Sequence, residues 1–259
     1  MTYCLAINVD QGLIFCSDSR TNAGMDNVST YSKMHAFVWE GNRSFTLLSA
    51  GNLATTQAVV KKLNSDVQHA VVPNLLSVTT MQEAVDYVGM ISTDVQRTQS
   101  NRDMANTNFE ATFIFGGQLG DMPPEIFLLY PQGNYIHESR EHPFLQIGET
   151  KYGKPILDRV IRRSLDLARA ARVALVSMNS TMRSNVTVGA PVDLLIYERD
   201  SLRAGRRMYL TEDDPLAHEI SEKWNQGLLF ALENLPRFDW ETPADDAEEH
   251  RVYPFPGNT

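Results

Sequence analysis

Two apolar runs, 4–9 (CLAINV) and 13–16 (LIFC), stand on either side of Asp10-Gln11-Gly12. Short apolar runs around such a triplet predict a β-hairpin. Two more, MHAFVW (34–39) and SFTLLSA (44–50), flank the turn signal Gly41-Asn42, and Gly51 closes the second. The period then changes. Segments 53–63 (LATTQAVVKKL) and about 80–97 (TMQEAVDYVGMISTDVQR) space their apolar residues for amphipathic helices, the second with Ala84, Val88, Ile91 and Val95 on one face. Strand patterns return at 110–119, 124–131, 134–139 and 144–148. A helical pair follows at 154–165 and 167–179, then strands at 192–199 and 207–211. A last helix, about 216–235, starts after Asp213-Asp214-Pro215 and stops at Pro236.

The predicted order is four strands, two helices, four strands, two helices, two strands and one helix. Strands do not alternate singly with helices, which disfavours a parallel βαβ fold and fits sheets with helices stacked outside them. No repeat or low-complexity linker divides the chain. The expectation is one domain over 2–235 and a Pro-containing tail over 236–259. That tail is acidic: Asp239, Glu241, Asp245, Asp246, Glu248 and Glu249 occur with no Lys or Arg among them, a pattern read as a solvated segment.

Composition narrows the function classes. With 259 residues, 42% hydrophobic and 21% charged, the chain has the material for a sizeable core. No run of 18 apolar residues supports a membrane span, and the start has no basic-then-apolar secretory pattern. Cys4 and Cys16 are read as small buried hydrophobes in a reducing compartment, so a cytoplasmic location is expected. A formal charge of −9 argues against nucleic acid as the main partner.

The chain carries no P-loop, GxGxxG or Gly-x-Ser-x-Gly motif. His137 and His142, five apart, have no metal-ligand logic, so neither metal nor cofactor is expected. Thr2 is different. An initiator methionine is normally trimmed before a small residue, which would leave an α-amine of ordinary pKa about 7.7–8.0 on Thr2. A hydroxyl needs an adjacent base to act as a nucleophile, and a terminal amine on the same residue is one such base. A nearby ammonium keeps that amine unprotonated, and a carboxylate holds the ammonium in place. Lys33 and Asp18 are the candidates for those roles. Gly51, at a strand-to-helix turn, is the candidate N–H for an oxyanion. On these features alone the other reading stays open: Thr after Met is common, and strand-end Asp and Lys are usually just solvated or paired.

TYCLAINVDQGLIFCSDSRTNAG (2–24), then Lys33, then SAGNLATTQAVV (49–60) resembles the proteasome β-subunit pattern. The wording Asp18-Ser-Arg-Thr-Asn-Ala-Gly24, Asp26-Asn-Val-Ser and Ser49-Ala-Gly-Asn-Leu-Ala-Thr-Thr56 is closer still to Anbu, the bacterial proteasome-like ancestral β-subunits, which also begin with Thr directly after Met. The resemblance implies an α+β, four-layer αββα sandwich of the N-terminal-nucleophile hydrolases. It implies Thr2 as nucleophile with its amine as base, Lys33 tuning the amine, Asp18 orienting Lys33, and the Gly51 N–H as oxyanion donor. Thr21, Ser49 and Leu53 would line a specificity pocket for a small or medium apolar side chain, and Arg20 would support the site locally. The implied activity is threonine-type peptidase or amidohydrolase action on a peptide or small amide. The implied assembly is a homo-oligomer, a ring or an open spiral. Proteolysis of folded proteins would further require an ATP-dependent unfoldase.

Three departures stand out. The stretch from Gly24 to Lys33 is one residue short of the usual β-subunit. Gly148-Glu149-Thr150 replaces Gly-Ser-Gly, putting Glu149 where a serine usually supports the terminus. Ser177-Met-Asn-Ser-Thr-Met-Arg-Ser184 replaces an Arg-Asp…Ser element, leaving Asn179, Ser180 or Ser184 as stand-ins. A catalytically weak or inactive assembly scaffold of the same fold, or a hydrolase of small non-protein amides, are the alternatives. A retained Met1 would leave no free amine on Thr2.

Overall fold

The computed structural model describes residues 1–22, 28–101 and 107–241. Gly24 and Asp26 of the sequence pattern, and 242–259 of the acidic tail, lie outside the described residues. The chain divides into two units, 1–220 and 221–259.

In the first unit two five-stranded antiparallel sheets form the middle of the molecule. One has the order β10 (Phe144–Gly148), β1 (Tyr3–Val9), β2 (Gly12–Asp18), β11 (Val192–Glu198), β12 (Arg206–Leu210). The other has β5 (Met34–Trp39), β6 (Arg43–Gly51), β7 (Ala111–Leu119), β8 (Glu125–Leu129), β9 (Tyr135–His137). Helices α1 (Leu53–Gln68) and α2 (Met81–Ser100) cover the second sheet through a core that includes Phe45, Val59, Val88 and Phe115. Helices α3 (Lys154–Val160) and α4 (Leu167–Ser184) cover the first through Tyr3, Leu5, Leu157 and Ala174. A third core, with Cys4, Phe15, Leu48 and Ile114, fills the space between the sheets. The result is the α+β, four-layer αββα sandwich expected.

This layering explains why the first hairpin reads as two unbroken apolar runs. All seven residues of β1 and all seven of β2 are buried. Tyr3, Leu5 and Ile7 face the helices, and Cys4 and Ala6 face the other sheet. A strand apolar on both faces does not alternate, and each large side chain so buried contributes roughly 1.5–3 kcal/mol. Cys4 stands opposite Ser17 and Cys16 opposite Leu5, so the two free thiols sit on adjacent strands but in different cores.

Two expectations on the elements need correction. A short ribbon, β3 (Arg20–Asn22) with β4 (Val28–Thr30), was not expected, because three-residue strands of mostly polar side chains give no apolar period. The helix read at 154–165 ends at Val160: Ile161 turns to an extended backbone (φ −71°, ψ 127°) as its side chain enters the core at 1% exposure.

Helix α5 (Pro215–Glu233) spans the division between the units. Within the second unit Leu228, Leu229, Phe230, Leu232 and Leu235 are exposed, and Phe238 stacks on Trp240 at 4.1 Å. No helix among the described residues is long and apolar enough to cross a membrane.

Candidate active site

The chain start is held at the end of β1 by its neighbours on both sides. Toward β10, the Glu149 N–H donates to the Thr2 carbonyl at 2.8 Å. That approach is possible because Gly148 adopts φ +81°, and a Cβ there would come within 1.9 Å of the Thr2 oxygen. Toward β2, the Tyr3 N–H donates to Asp18 Oδ1 at 3.0 Å. Beneath, a directed chain of hydrogen bonds fixes the Tyr3 ring. Gln146 donates to the Tyr3 hydroxyl at 2.6 Å, that hydroxyl meets Ser177 Oγ at 2.7 Å, and Ser177 donates to the Gly153 carbonyl at 3.1 Å.

Asp18 is fully buried and takes two donors on one oxygen, the Tyr3 N–H and Lys33 Nζ, the latter at 2.7 Å. Its other oxygen faces the Gly189 N–H at 3.5 Å. Lys33, 6% exposed, also donates to the Arg20 carbonyl at 2.7 Å. Burial raises the Asp18 carboxyl above its ordinary range, against the opposing charge and hydrogen bond of Lys33. Lys33 is located by the second sheet, because its carbonyl accepts the Ser49 N–H at 3.0 Å just before β5 begins.

Gly51 ends β6 at φ +113°, with no room for a Cβ against Glu110 and Ala111. The alternation of the antiparallel ladder sets where its N–H points. The Asn52 N–H bonds to Glu110 on the β7 side, and the Ser49 N–H bonds to Lys33 on the β5 side. The N–H of Gly51, two residues after Ser49, is therefore directed to the β5 side, beyond the point where β5 begins. Asn52 then caps α1 by accepting the Thr55 N–H at 3.1 Å.

Thr2, Thr21, Lys33, Ser49, Gly51 and Leu53 line one cavity of about 120 Å³, together with Met1, Arg20 and Ser32. Burial and the charge of Lys33 hold the Met1 amino group below its ordinary range, while Asp18 and Glu149 pull the other way. Arg20 donates to the Val186 carbonyl at 3.1 Å. Cys4 donates to the Ser49 carbonyl at 3.6 Å, and burial pushes its thiol well up, which makes it a poor nucleophile.

The residues named on α4 lie as follows. Asn179 and Ser180 are half-buried on the helix and Ser184 is exposed. Within the segment Ser177 reaches the chain start through Tyr3, and just beyond it the helix-capping Asn185 donates to Glu149 Oε2 at 2.8 Å. Both partnerships span long stretches of sequence. The only local signal for the second was an acid where the resemblance implied a serine. Among the described residues no group of three or more His, Cys, Asp and Glu is placed to hold a metal ion.

Scanned against family models and curated protein sequences, the chain finds no match. Solved structures do match. Anbu (ancestral β-subunit) from Yersinia bercovieri is 41% identical with a TM-score of 0.87, over 92% of this chain and 99% of that one. The Anbu complex from Pseudomonas aeruginosa, solved as a helical assembly, is 41% identical with a TM-score of 0.87, over 95% and 100%. An Anbu (Gly-1) mutant from Hyphomicrobium sp. strain MC1 is 41% identical with a TM-score of 0.86, over 92% and 100%. With this identity across nearly the whole of both chains, the protein belongs to the proteasome-like Anbu family.

Proposed function

We propose that this protein is a threonine-type peptidase or amidohydrolase whose nucleophile is Thr2, freed by removal of Met1. The observation that carries this reading is the convergence on one cavity of Thr2, a buried Lys33 held by Asp18, and Gly51, past the start of β5 on the side its N–H faces. With Met1 gone, the Thr2 amine takes the proton from Oγ as Oγ attacks the substrate carbonyl carbon. The oxyanion so formed sits at the Gly51 N–H. The proton then passes to the leaving nitrogen, the C–N bond breaks, and the acyl group remains as an ester on Thr2. Water, activated by the same amine, cleaves that ester and restores the hydroxyl. Lys33 keeps the amine unprotonated, and Asp18 keeps Lys33 in place.

Thr21, Ser49 and Leu53 form the pocket for the side chain next to the scissile bond. The small and apolar side chains of that lining suit a small or medium apolar group. The apolar side chains exposed on 228–240 are an expected contact surface for further copies, and the helical assembly of the Pseudomonas aeruginosa Anbu complex supports a homo-oligomer here. The two free, buried cysteines fit a cytoplasmic site of action. An ATP-dependent unfoldase would be required only for folded substrates.

The rival reading, an inactive assembly scaffold, is favoured by one feature: Met1 lines the same cavity, and a chain that keeps it has no amine on Thr2. Intact mass separates the two. Loss of one methionine is expected, followed by a covalent adduct at Thr2 with a peptide epoxyketone, which requires both the hydroxyl and the amine. Thr2→Ala should form none. A working protein that retains Met1, or an adduct that persists in Thr2→Ala, would overturn the proposal.

A further inference from the structure

Thr2 and Glu149 stand directly opposite one another. β1 and β10 pair with Tyr3 against Gly148, and the Glu149 N–H on the Thr2 carbonyl extends that register by one step. Cys4 and Ile147, two residues further in on the two strands, both lie in the core between the sheets. Thr2 lines the cavity on that side, whereas Gly148, at φ +81°, breaks the alternation before Glu149, whose carboxylate reaches the C-cap of α4 beside the chain start.

Glu149 does not escape to solvent there; it is 7% exposed. One carboxylate oxygen accepts from Asn185 Nδ2 at 2.8 Å. The Asn185 oxygen is itself occupied by the Thr187 N–H at 3.0 Å and the Thr187 hydroxyl at 2.6 Å, which fixes the amide so that its nitrogen faces Glu149. The other oxygen is 3.5 Å from Lys151, whose side chain is 66% exposed. A buried carboxylate needs a charged partner or several donors to offset its lost hydration. Here the fixed donor is a neutral amide and the nearest cation is a solvated lysine. Loss of Met1 creates a new cation on the residue opposite.

We propose that Glu149, oriented by Asn185, is a positioning residue for the Thr2 α-amino group, accepting a hydrogen bond from it and holding it beside its own hydroxyl. The inference rests on Thr2 being the nucleophile. The charged groups around the chain start are Lys33 just before β5, Asp18 at the end of β2, and Glu149 after β10, with Lys151 beyond it. At the Met1 amino group, one residue before, burial and Lys33 favour the free amine while Asp18 and Glu149 favour the ammonium, and the same groups surround the amine that trimming would expose on Thr2. Glu149 thereby fixes geometry while holding back deprotonation. Removing its charge should ease proton loss and loosen the amine together.

The test follows covalent epoxyketone labelling of the full chain, with Met1 removed, from pH 5 to 9. In Glu149→Gln the acid limb of the rate profile is expected to move down by about half to one pH unit, with a plateau about tenfold lower. Asn185→Ala should lower the plateau several-fold without moving the limb down, and Glu149→Asp should restore the parent's limb. A folded Glu149→Gln that keeps both the parent's limb and its plateau overturns the proposal. A parent that never labels instead overturns Thr2 as the nucleophile. Should the variants not fold, a crystal structure of the trimmed parent decides: Glu149 Oε within about 3.2 Å of the Thr2 nitrogen is expected, and a carboxylate turned away from it refutes the role.

Discussion

Two buried aspartates on adjacent strands of one sheet each meet a basic side chain, and the two pairs are built differently. Asp193 on β11 stands opposite Ser17, one residue before Asp18 on β2, and both carboxylates are fully buried. Asp193 is gripped in two-pronged fashion by Arg207 of β12, with Nε to Oδ1 at 2.8 Å and a terminal nitrogen on Oδ2. The same nitrogen reaches Ser32 Oγ and the Met34 carbonyl, both at 3.3 Å, and so ties the first sheet to the residues on either side of Lys33. Lys33 engages only one oxygen of Asp18 and the Arg20 carbonyl, and its position lines the cavity. An ammonium has three protons to give. Among the described residues two are engaged, which leaves donor capacity on the side of the cavity. A fork satisfied within the protein holds structure together, whereas a point charge with spare donor capacity is available for chemistry.

The sharpest way to break this contrast is to remove the lysine. Lys33→Met should reduce epoxyketone labelling of Thr2 by about 10²–10⁴-fold and, by stranding a buried carboxylate, destabilise the fold by about 3–5 kcal/mol. Asp18→Asn/Lys33→Met should recover most of that stability while staying unlabelled, because replacing both charges of a buried pair is often neutral or stabilising. Urea midpoints and intact mass read the two effects separately. A double variant that stays as unstable as the single one would mean the pair is structural.

Arg207→Met should behave the other way round. It leaves Asp193 without its partner, but Arg207 is 45% exposed, so solvent offsets part of the loss and the expected cost is about 1–3 kcal/mol. Labelling should fall only a few-fold, through looser placement of the segment around Lys33. If labelling falls as far as in Lys33→Met while the protein remains folded, the division between a holding pair and a working pair is wrong.

The sequence reads these two pairs unequally, for physical reasons. Strands and helices are legible because burial imposes a period, and the mixed element order already pointed to stacked sheets. Asp18, Lys33 and Gly51 were found through a motif, since they lie within the first 51 residues in an order that the hairpin keeps. Asp193 and Arg207 look like any acid and base in strands, and only the register of β11 with β12 brings them near Lys33. Glu149 and Asn185 are 36 residues apart, one after a strand and the other at a helix end, and no local period links them. The ribbon β3–β4 escaped because its residues bury little apolar surface.

The smallest expected effect concerns pH, and it separates the two views of Asp18. Burial raises the Asp18 carboxyl above its ordinary value despite Lys33. An acid whose folded-state pKa exceeds its unfolded value, about 3.9, binds its proton more tightly when folded. Its contribution to stability is therefore complete below the unfolded value and is lost as pH rises through the folded one. Relative to Asp18→Asn, the parent should gain stability as pH is lowered toward about 4, measured as urea midpoints at stepped pH with an unchanged m-value. An ordinary stabilising salt bridge gives the opposite slope, because protonation would then break it. A parent that loses stability relative to Asp18→Asn over that window would make the pull of Lys33 larger than the cost of burial. Asp18–Lys33 would then stabilise the fold outright, and the distinction from Asp193–Arg207 would rest on geometry alone.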